Sequence, residues 1–188
     1  PSARWERGPA LRVRMGSGNL TSAEELAVLA GANVLAIGDG SPENWEIVQF
    51  RDAALVAPAT FKIRHRLRGQ LGTDGVMPES WLAGSFVVVL DSALKQINLP
   101  QSARGLTRNY RIGDAARSYD APGVVARSEA FDGIGLRPYS VCHLRKIGAA
   151  GSDVAINWIR RTRMDGDSWQ SPEVPLGEEA ERYRLRIR

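Results

Sequence analysis

Soft metal ligands are nearly absent from this sequence: of 188 residues one is cysteine, Cys142, and two are histidine, His65 and His143. A lone cysteine forms no internal disulfide, and three such residues spread along the chain do not make a structural zinc site. Lysine is scarce as well. Only Lys62, Lys95 and Lys146 occur, so all but three of the 25 cationic residues are arginine. Long apolar runs are missing: the longest aliphatic and aromatic run is Phe86 to Leu90, against the roughly 20 residues a bilayer-crossing helix needs. No charged-then-apolar leader opens the chain. The expectation is a protein without a membrane span. Aromatics make up only 7%, whereas glycine (19) and proline (10) are plentiful, a composition that suits short strands and turns better than a helix bundle.

What is present is enough for a core. A chain of this length with 43% apolar residues can pack one ordinary domain or two small ones. The net charge of +4 and pI near 9.6 are arginine effects. Guanidinium groups stay charged, bind carboxylate or phosphate bidentately and tolerate interfaces, so an acidic protein surface or nucleic acid both suit them.

The periodicity predicts a mainly β protein: a small β-domain over 1–134 with one short helix, followed by a partial fibronectin- or immunoglobulin-like β-sandwich over 135–188. Leu11 to Met15 alternates apolar residues with arginine, a half-buried strand. Residues 22 to 30 read as the helix, with Thr21 and Ser22 as caps, Leu26, Val28 and Leu29 as its apolar face and Gly31 as its stop. Strands follow at Asn33 to Ile37 and Trp45 to Val56, with a turn at Asp39 to Pro42 between them. In FKIRHRLR, Phe61, Ile63, His65 and Leu67 alternate with Lys62, Arg64, Arg66 and Arg68, which places four cations on one face. Further strands are expected at Phe86 to Leu90 and around Arg108 to Ile112. Turn residues cluster at Asp132 to Pro138, marking the boundary. Beyond it Val154, Ile156 and Trp158 read as the buried side of a strand, and Tyr183, Leu185 and Ile187 alternate with Arg182, Arg184, Arg186 and Arg188. A whole sandwich takes about 100 residues, more than this stretch provides. With Pro1 in place of methionine and an end inside an alternating run, the chain reads as a piece of a longer protein.

Catalytic constellations are not evident. His65 sits among apolar residues and reads as a satisfied, semi-buried histidine rather than a general base. His143 adjoins Cys142, but neighbours in a strand point to opposite faces, so the pair is not poised for nucleophilic catalysis. Glu178, Glu179 and Glu181 read as a solvated patch or as counter-charges for nearby arginines. GSGN at 16–19 and GIGL at 133–136 lack the further glycine and helix of a phosphate cradle. Asp165-Gly166-Asp167 is a hairpin turn rather than a calcium loop, and Asn19-Leu20-Thr21 is a loop and cap rather than a glycan acceptor. No cofactor and no enzymatic activity are expected.

The arginine rows remain. Alternate residues on one strand face lie about 7 Å apart, so such rows require water, carboxylates or phosphates to screen them. The candidate binding residues are Lys62, Arg64, Arg66 and Arg68 together with Arg182, Arg184 and Arg186. Base-stacking aromatics are not interleaved with them, which favours solvent or an acidic protein neighbour over nucleic acid.

Several strings carry a resemblance: GANVLAIGDG (31–40), WEIVQF and DAALVAP (45–58), LRGQLGTDG (67–75), GLRPYSVCHLR (135–145), WIRRTRMDGDSW (158–169) and VPLGEEAERYRLRI (174–187). In this order they resemble the C-terminal region of the tail-hub or baseplate protein, often labelled host-specificity or phage tail protein, of gene transfer agents and related long-tailed phages. The sequence departs from that family before His143, where Val141 and Cys142 stand in place of the more usual proline and valine. The resemblance implies a virion structural component at the tail tip, made in the bacterial cytoplasm and assembled as a ring of copies. It would link the tail tube to fibres or receptor-contacting parts and open for DNA. Its partners would be other copies, neighbouring tail and baseplate proteins, a host surface receptor and, transiently, DNA; it carries over no catalytic residue. The alternative is a carbohydrate- or receptor-binding β-module using Trp45, Trp81, Trp158 or Trp169 as a stacking platform.

Overall fold

A computed structural model describes residues 4–149, 151, 153–166 and 172–185. The protein is mainly β, built of antiparallel sheets with one short helix. Two compact units emerge from the contacts, one formed by 1–93 with 135–188 and the other by 94–134.

The first unit holds a six-stranded sheet. Its strands are β1 (Trp5–Glu6), β2 (Leu11–Arg14), β3 (Val34–Gly38), β4 (Trp45–Ala57), β5 (Thr60–Gln70) and β6 (Phe86–Val89). They lie in the order β1-β5-β4-β3-β6, with β2 also on β5 beyond β1's short pairing. The long β4–β5 hairpin is its spine. Val13, Leu20, Leu35, Phe50, Phe61 and Ile63 form the buried cluster, with Leu11, Met15, Ala53, Val87 and Val89 packed against it. These are the β-branched and aromatic residues that the alternating pattern offers to a pleated face.

The turn between β3 and β4 is fixed by Asp39. Its carboxylate accepts from the Ser41 hydroxyl at 2.6 Å, the Ser41 amide at 2.9 Å and the Asn44 side-chain amide at 2.6 Å. Led by the Ser41 hydroxyl bond, then Asn44, these bonds hold the Asp39 carboxyl down from 3.8 to about 2. A carboxyl depressed on folding stabilises the native state above its unfolded pKa, and that contribution is lost as pH falls through the folded value. Carboxyl-carbon NMR on the folded protein should therefore show Asp39 titrating near 2. Asp39→Ala should remove the part of the acid-induced loss of stability that lies between about 3.8 and 2.

The helix is shorter than the capping pattern predicts. α1 spans Glu25–Leu29, has no side-chain cap, and buries only Val28, leaving Leu26 81% and Leu29 57% exposed. The physical reason is non-local. Ser22 spends its hydroxyl on β4, accepting from the Ala53 amide at 3.0 Å and donating to the Ala53 carbonyl at 3.3 Å. The chain therefore stays extended up to Glu24. Gly31 does end the helix as expected, with φ +103 and its amide on the Val28 carbonyl at 3.0 Å. Gln49 ties α1 to the sheet by donating to the Val28 and Ala32 carbonyls at 2.6 and 3.0 Å.

Residues 135–185 contribute one hairpin of β9 (Cys142–Ile147) and β10 (Ala155–Ile159). Of the expected sandwich, this two-stranded sheet is what the described residues contain. Val154 and Trp158, expected in a core, are 44% and 37% exposed, because no second sheet faces them among the described residues. The expected strand at the end does not form over 181–185, which is irregular chain; Arg186, Ile187 and Arg188 lie outside the described residues. The second unit holds the hairpin of β7 (Thr107–Ile112) and β8 (Val125–Ala130).

Candidate functional site

The four cations of β5 do not share one face. Lys62 and Arg64 are exposed, whereas Arg66 is buried and Arg68 shows only 11% of its side chain. The break lies at His65. Its φ is +48, the left-handed region that L-residues other than asparagine, aspartate and histidine seldom adopt. The ladder pairs Asp52 with Arg64 and Phe50 with Arg66, leaving Arg51 and His65 unmatched between them. Before it burial alternates, Phe61 and Ile63 being buried; beyond it both faces of the strand are covered, with Arg66 and Leu67 both buried and Arg68 nearly so. The predicted row is thus split into a solvent half and an internal half.

The internal half is fully engaged. Arg68 binds Glu46 bidentately, Nε to Oε1 at 2.9 Å and Nη2 to Oε2 at 2.7 Å, and also donates to the Glu79 and Pro78 carbonyls at 3.0 and 2.8 Å. The Glu46 carboxylate, 0% exposed, accepts further bonds from the Trp81 indole at 2.7 Å and the Gly69 amide at 3.0 Å. Its hydrogen bond is the main cause that raises the Arg68 pKa above its ordinary value. Arg66 meets Glu6, Nε to Oε2 at 2.8 Å, and donates to the Pro9 carbonyl at 2.9 Å. A buried carboxylate saturated in this way is a structural brace, since its lone pairs are already taken. Beside this brace runs a cleft of about 210 Å³ with Leu11, Ile37 and Val48 among its apolar walls.

The sequence pattern misses Glu46, because a glutamate between Trp45 and Ile47 reads as the outward residue of an alternating strand. Its only signal is the number of arginines on the adjacent strand, β5, that need a counter-charge.

Around the break, Arg51, Asp52 and His65 form a half-exposed cluster. Arg51 donates from Nε to Asp52 at 2.9 Å, its Nη2 lies 3.1 Å from His65 Nδ1, and His65 Nδ1 is bonded to the second Asp52 oxygen. The Arg51 hydrogen bond, ahead of that of His65, lowers the Asp52 pKa. His65 is accordingly a satisfied, partly buried side chain. His143 is exposed with φ +53, and the Cys142 thiol donates to the Ile159 carbonyl at 3.6 Å. Among the described residues no group of three His, Cys, Asp or Glu is placed to hold a metal ion.

The second arginine group fares differently. Arg182 and Arg184 are exposed, and Arg186 lies outside the described residues. The nearby carboxylates serve other arginines as counter-charges. Glu178 takes Arg163 bidentately at 2.8 and 3.0 Å, which lowers the Glu178 pKa and raises that of Arg163. Glu181 accepts from the Tyr183 hydroxyl at 2.6 Å and from Arg160 at 2.8 Å, and the tyrosine bond is the larger cause of its lowered pKa. Tyr183 stands edge-on to Trp158, ring centres 4.9 Å apart. Trp81 is tied to Glu46, the Trp45 ring covers Gly38, and Trp169 lies outside the described residues. Of the candidate binding residues, the exposed ones are therefore Lys62, Arg64, Arg182 and Arg184, none of which has a carboxylate partner among the described residues.

This defines an antiparallel β-domain braced by buried ion pairs and carrying free cations on its outer strand face. Residues 1–88, which span the sheet as far as Val88, match the family model described as Rcc01698-like, C-terminal. No curated protein matches the chain. No described helix is long and apolar enough to cross a membrane.

Proposed function

We propose that this chain is a structural component of a phage-like tail tip or baseplate hub, located in the virion and without catalytic turnover. It contributes to subunit assembly, host attachment and the passage of DNA. The observation that carries the reading is surface left open in a form that suits assembly. In the unit over 94–134, Ala103 is the one buried hydrophobic residue, while Leu106, Ile112, Tyr119 and Val125 stand exposed. A two-stranded hairpin is at best marginally stable alone, so such an element gains from packing against a neighbour. In the other unit, the free cations Lys62 and Arg64 offer exposed charge of the kind that steers a protein partner. Support also comes from the family match over 1–88, which contains three of the stretches that resemble hub proteins, 31–40, 45–58 and 67–75.

The test is location. Immunogold labelling of purified particles from a producing bacterium should place this protein at the distal end of the tail. The double reversal Lys62→Glu with Arg64→Glu should leave the melting temperature of the isolated chain unchanged, both side chains being exposed, yet reduce incorporation into particles roughly tenfold. Label on the head, or particles without label, would overturn the reading.

A further inference from the structure

The two edges of the six-stranded sheet differ. On one side lie β1 and β2, a pair of short strands interrupted around Pro9, with Arg12 and Arg14 exposed on β2. Charges and prolines of this kind blunt an edge against further pairing. On the other side lies β6, Phe86–Val89, which pairs with β3 alone. It carries no charge, no proline and no bulge, and with Leu90 it makes an unbroken apolar run, FVVVL.

Its free backbone groups can be assigned. The Leu90 amide donates to the Val34 carbonyl at 2.9 Å, so Val34 and Leu90 form a hydrogen-bonded pair. The ladder runs Leu35 with Val89, Ala36 with Val88, Ile37 with Val87 and Gly38 with Phe86. Hydrogen-bonded and non-hydrogen-bonded pairs alternate along an antiparallel ladder. Phe86 and Val88 therefore spend their backbone groups on β3, and Val87 and Val89 point theirs away from it. Those two amides and two carbonyls have no partner among the described residues. The side chains sort in the same way: Val87 and Val89 pack against the core cluster, and the Phe86 ring lies over Gly40.

We propose that β6 is a self-pairing edge, at which two copies of this chain join antiparallel about a two-fold axis through Val88. The strand is complementary to itself. With Val88 opposite Val88, Val87 of each copy faces Val89 of the other, and both are the outward-pointing residues. All four free groups of each edge are then satisfied in two hydrogen-bonded pairs. Both core-side rows stay on one side of the joined sheet, so Val87 and Val89 of the two copies extend a single apolar surface. On the opposite face Phe86 meets Leu90 across the axis. No charge is brought against a like charge anywhere along the seam, which distinguishes it from a pairing through Arg12 and Arg14. An isologous contact of this kind closes on itself and yields a dimer, not a filament. The inference stands on backbone geometry, so it and the tail-tip reading can fail separately.

The experiment uses the 188-residue chain over about a hundredfold range of concentration. Sedimentation should show monomer giving way to dimer as concentration rises. Amide exchange at Val87 and Val89 should slow at least tenfold in step with the dimer, while Phe86 and Val88 stay protected throughout. In a Cys142→Ser background, Val88→Cys should cross-link on oxidation, because residues opposite each other at a non-hydrogen-bonded position lie about 4.5 Å apart at Cα. Phe86→Cys, on the same face but far from its own copy, should not. Val88→Lys should abolish the dimer while leaving the fold intact, as two lysines would meet at the axis. A chain that stays monomeric at every concentration overturns the proposal. So does protection of Val87 and Val89 that does not depend on concentration, or a dimer that survives Val88→Lys.

Discussion

Glu46→Ala should lower the stability of this protein by about 3–5 kcal/mol, the cost of breaking a buried ion pair by removing one partner. The carboxylate is 0% exposed and accepts four hydrogen bonds, two from Arg68, one from the Trp81 indole and one from the Gly69 amide. With it gone, Arg68 is left buried and charged. The buried Gly69 amide and the half-buried Trp81 indole lose their acceptor as well, which adds the cost of unmet donors. A loss of this size is a large share of the roughly 5–15 kcal/mol by which domains are stable. Urea unfolding followed by tryptophan fluorescence would measure it. The companion variant separates pairing from packing. Glu46→Leu combined with Arg68→Met removes both charges and keeps the volume, so it should recover most of the loss, because a buried pair adds little over an apolar replacement. If the single variant costs less than about 1 kcal/mol, the brace is not under the strain of burial that its geometry implies.

The fold was largely legible because strands advertise themselves by alternation. Leu11 to Arg14, the stretch from Trp45 and FKIRHRLR are strands with apolar side chains recurring along one face, and the Phe86 run is a strand recognisable by its short unbroken apolar stretch. What alternation cannot register is a residue that breaks it from within. Beyond His65, at φ +48, both faces of the strand are covered, so Arg66 and Arg68 are enclosed although their spacing matches Lys62 and Arg64. Nothing in the local sequence marks that step: histidine is an ordinary strand residue, and its partners, Asp52 and Arg51, lie on another strand. Ser22 failed as a cap for the same reason. Its hydroxyl has two uses, and β4, some thirty residues on, decides between them. In the last third the apolar spacing of Val154, Ile156 and Trp158 marks the strand β10 but not burial: Val154 and Trp158 are exposed and Ile156 is half-buried. Burial requires a second layer, and periodicity reports only that one face is apolar.

The other large effect concerns a glycine that both strain and space hold in place. Gly69→Ala should cost about 3 kcal/mol. Gly69 sits at φ +60, where a side chain is disfavoured on conformational grounds, and a Cβ there would come within 2.8 Å of the Asp74 Cα and 3.2 Å of its amide nitrogen. Backbone cannot swing aside as a flexible side-chain tip can. The position exists because β5 carries one residue more than β4 at this end, the ladder passing from Gln49–Leu67 to Ile47–Gln70, and a bulge residue in the left-handed region favours glycine. The same residue presents its amide to Glu46, so displacing it also loosens the buried brace. Gly18→Ala provides the contrast: φ is +76 there, but nothing lies within 4 Å of the added carbon. It should show the conformational penalty alone, about 1 kcal/mol. Thermal and urea unfolding of both variants give the difference, which is the steric part. Equal losses at the two positions would mean that the chain between β5 and the Thr73–Gly75 turn yields to make room, and that the tight approach of Gly69 to Asp74 is not what holds the Glu46 carboxylate in register.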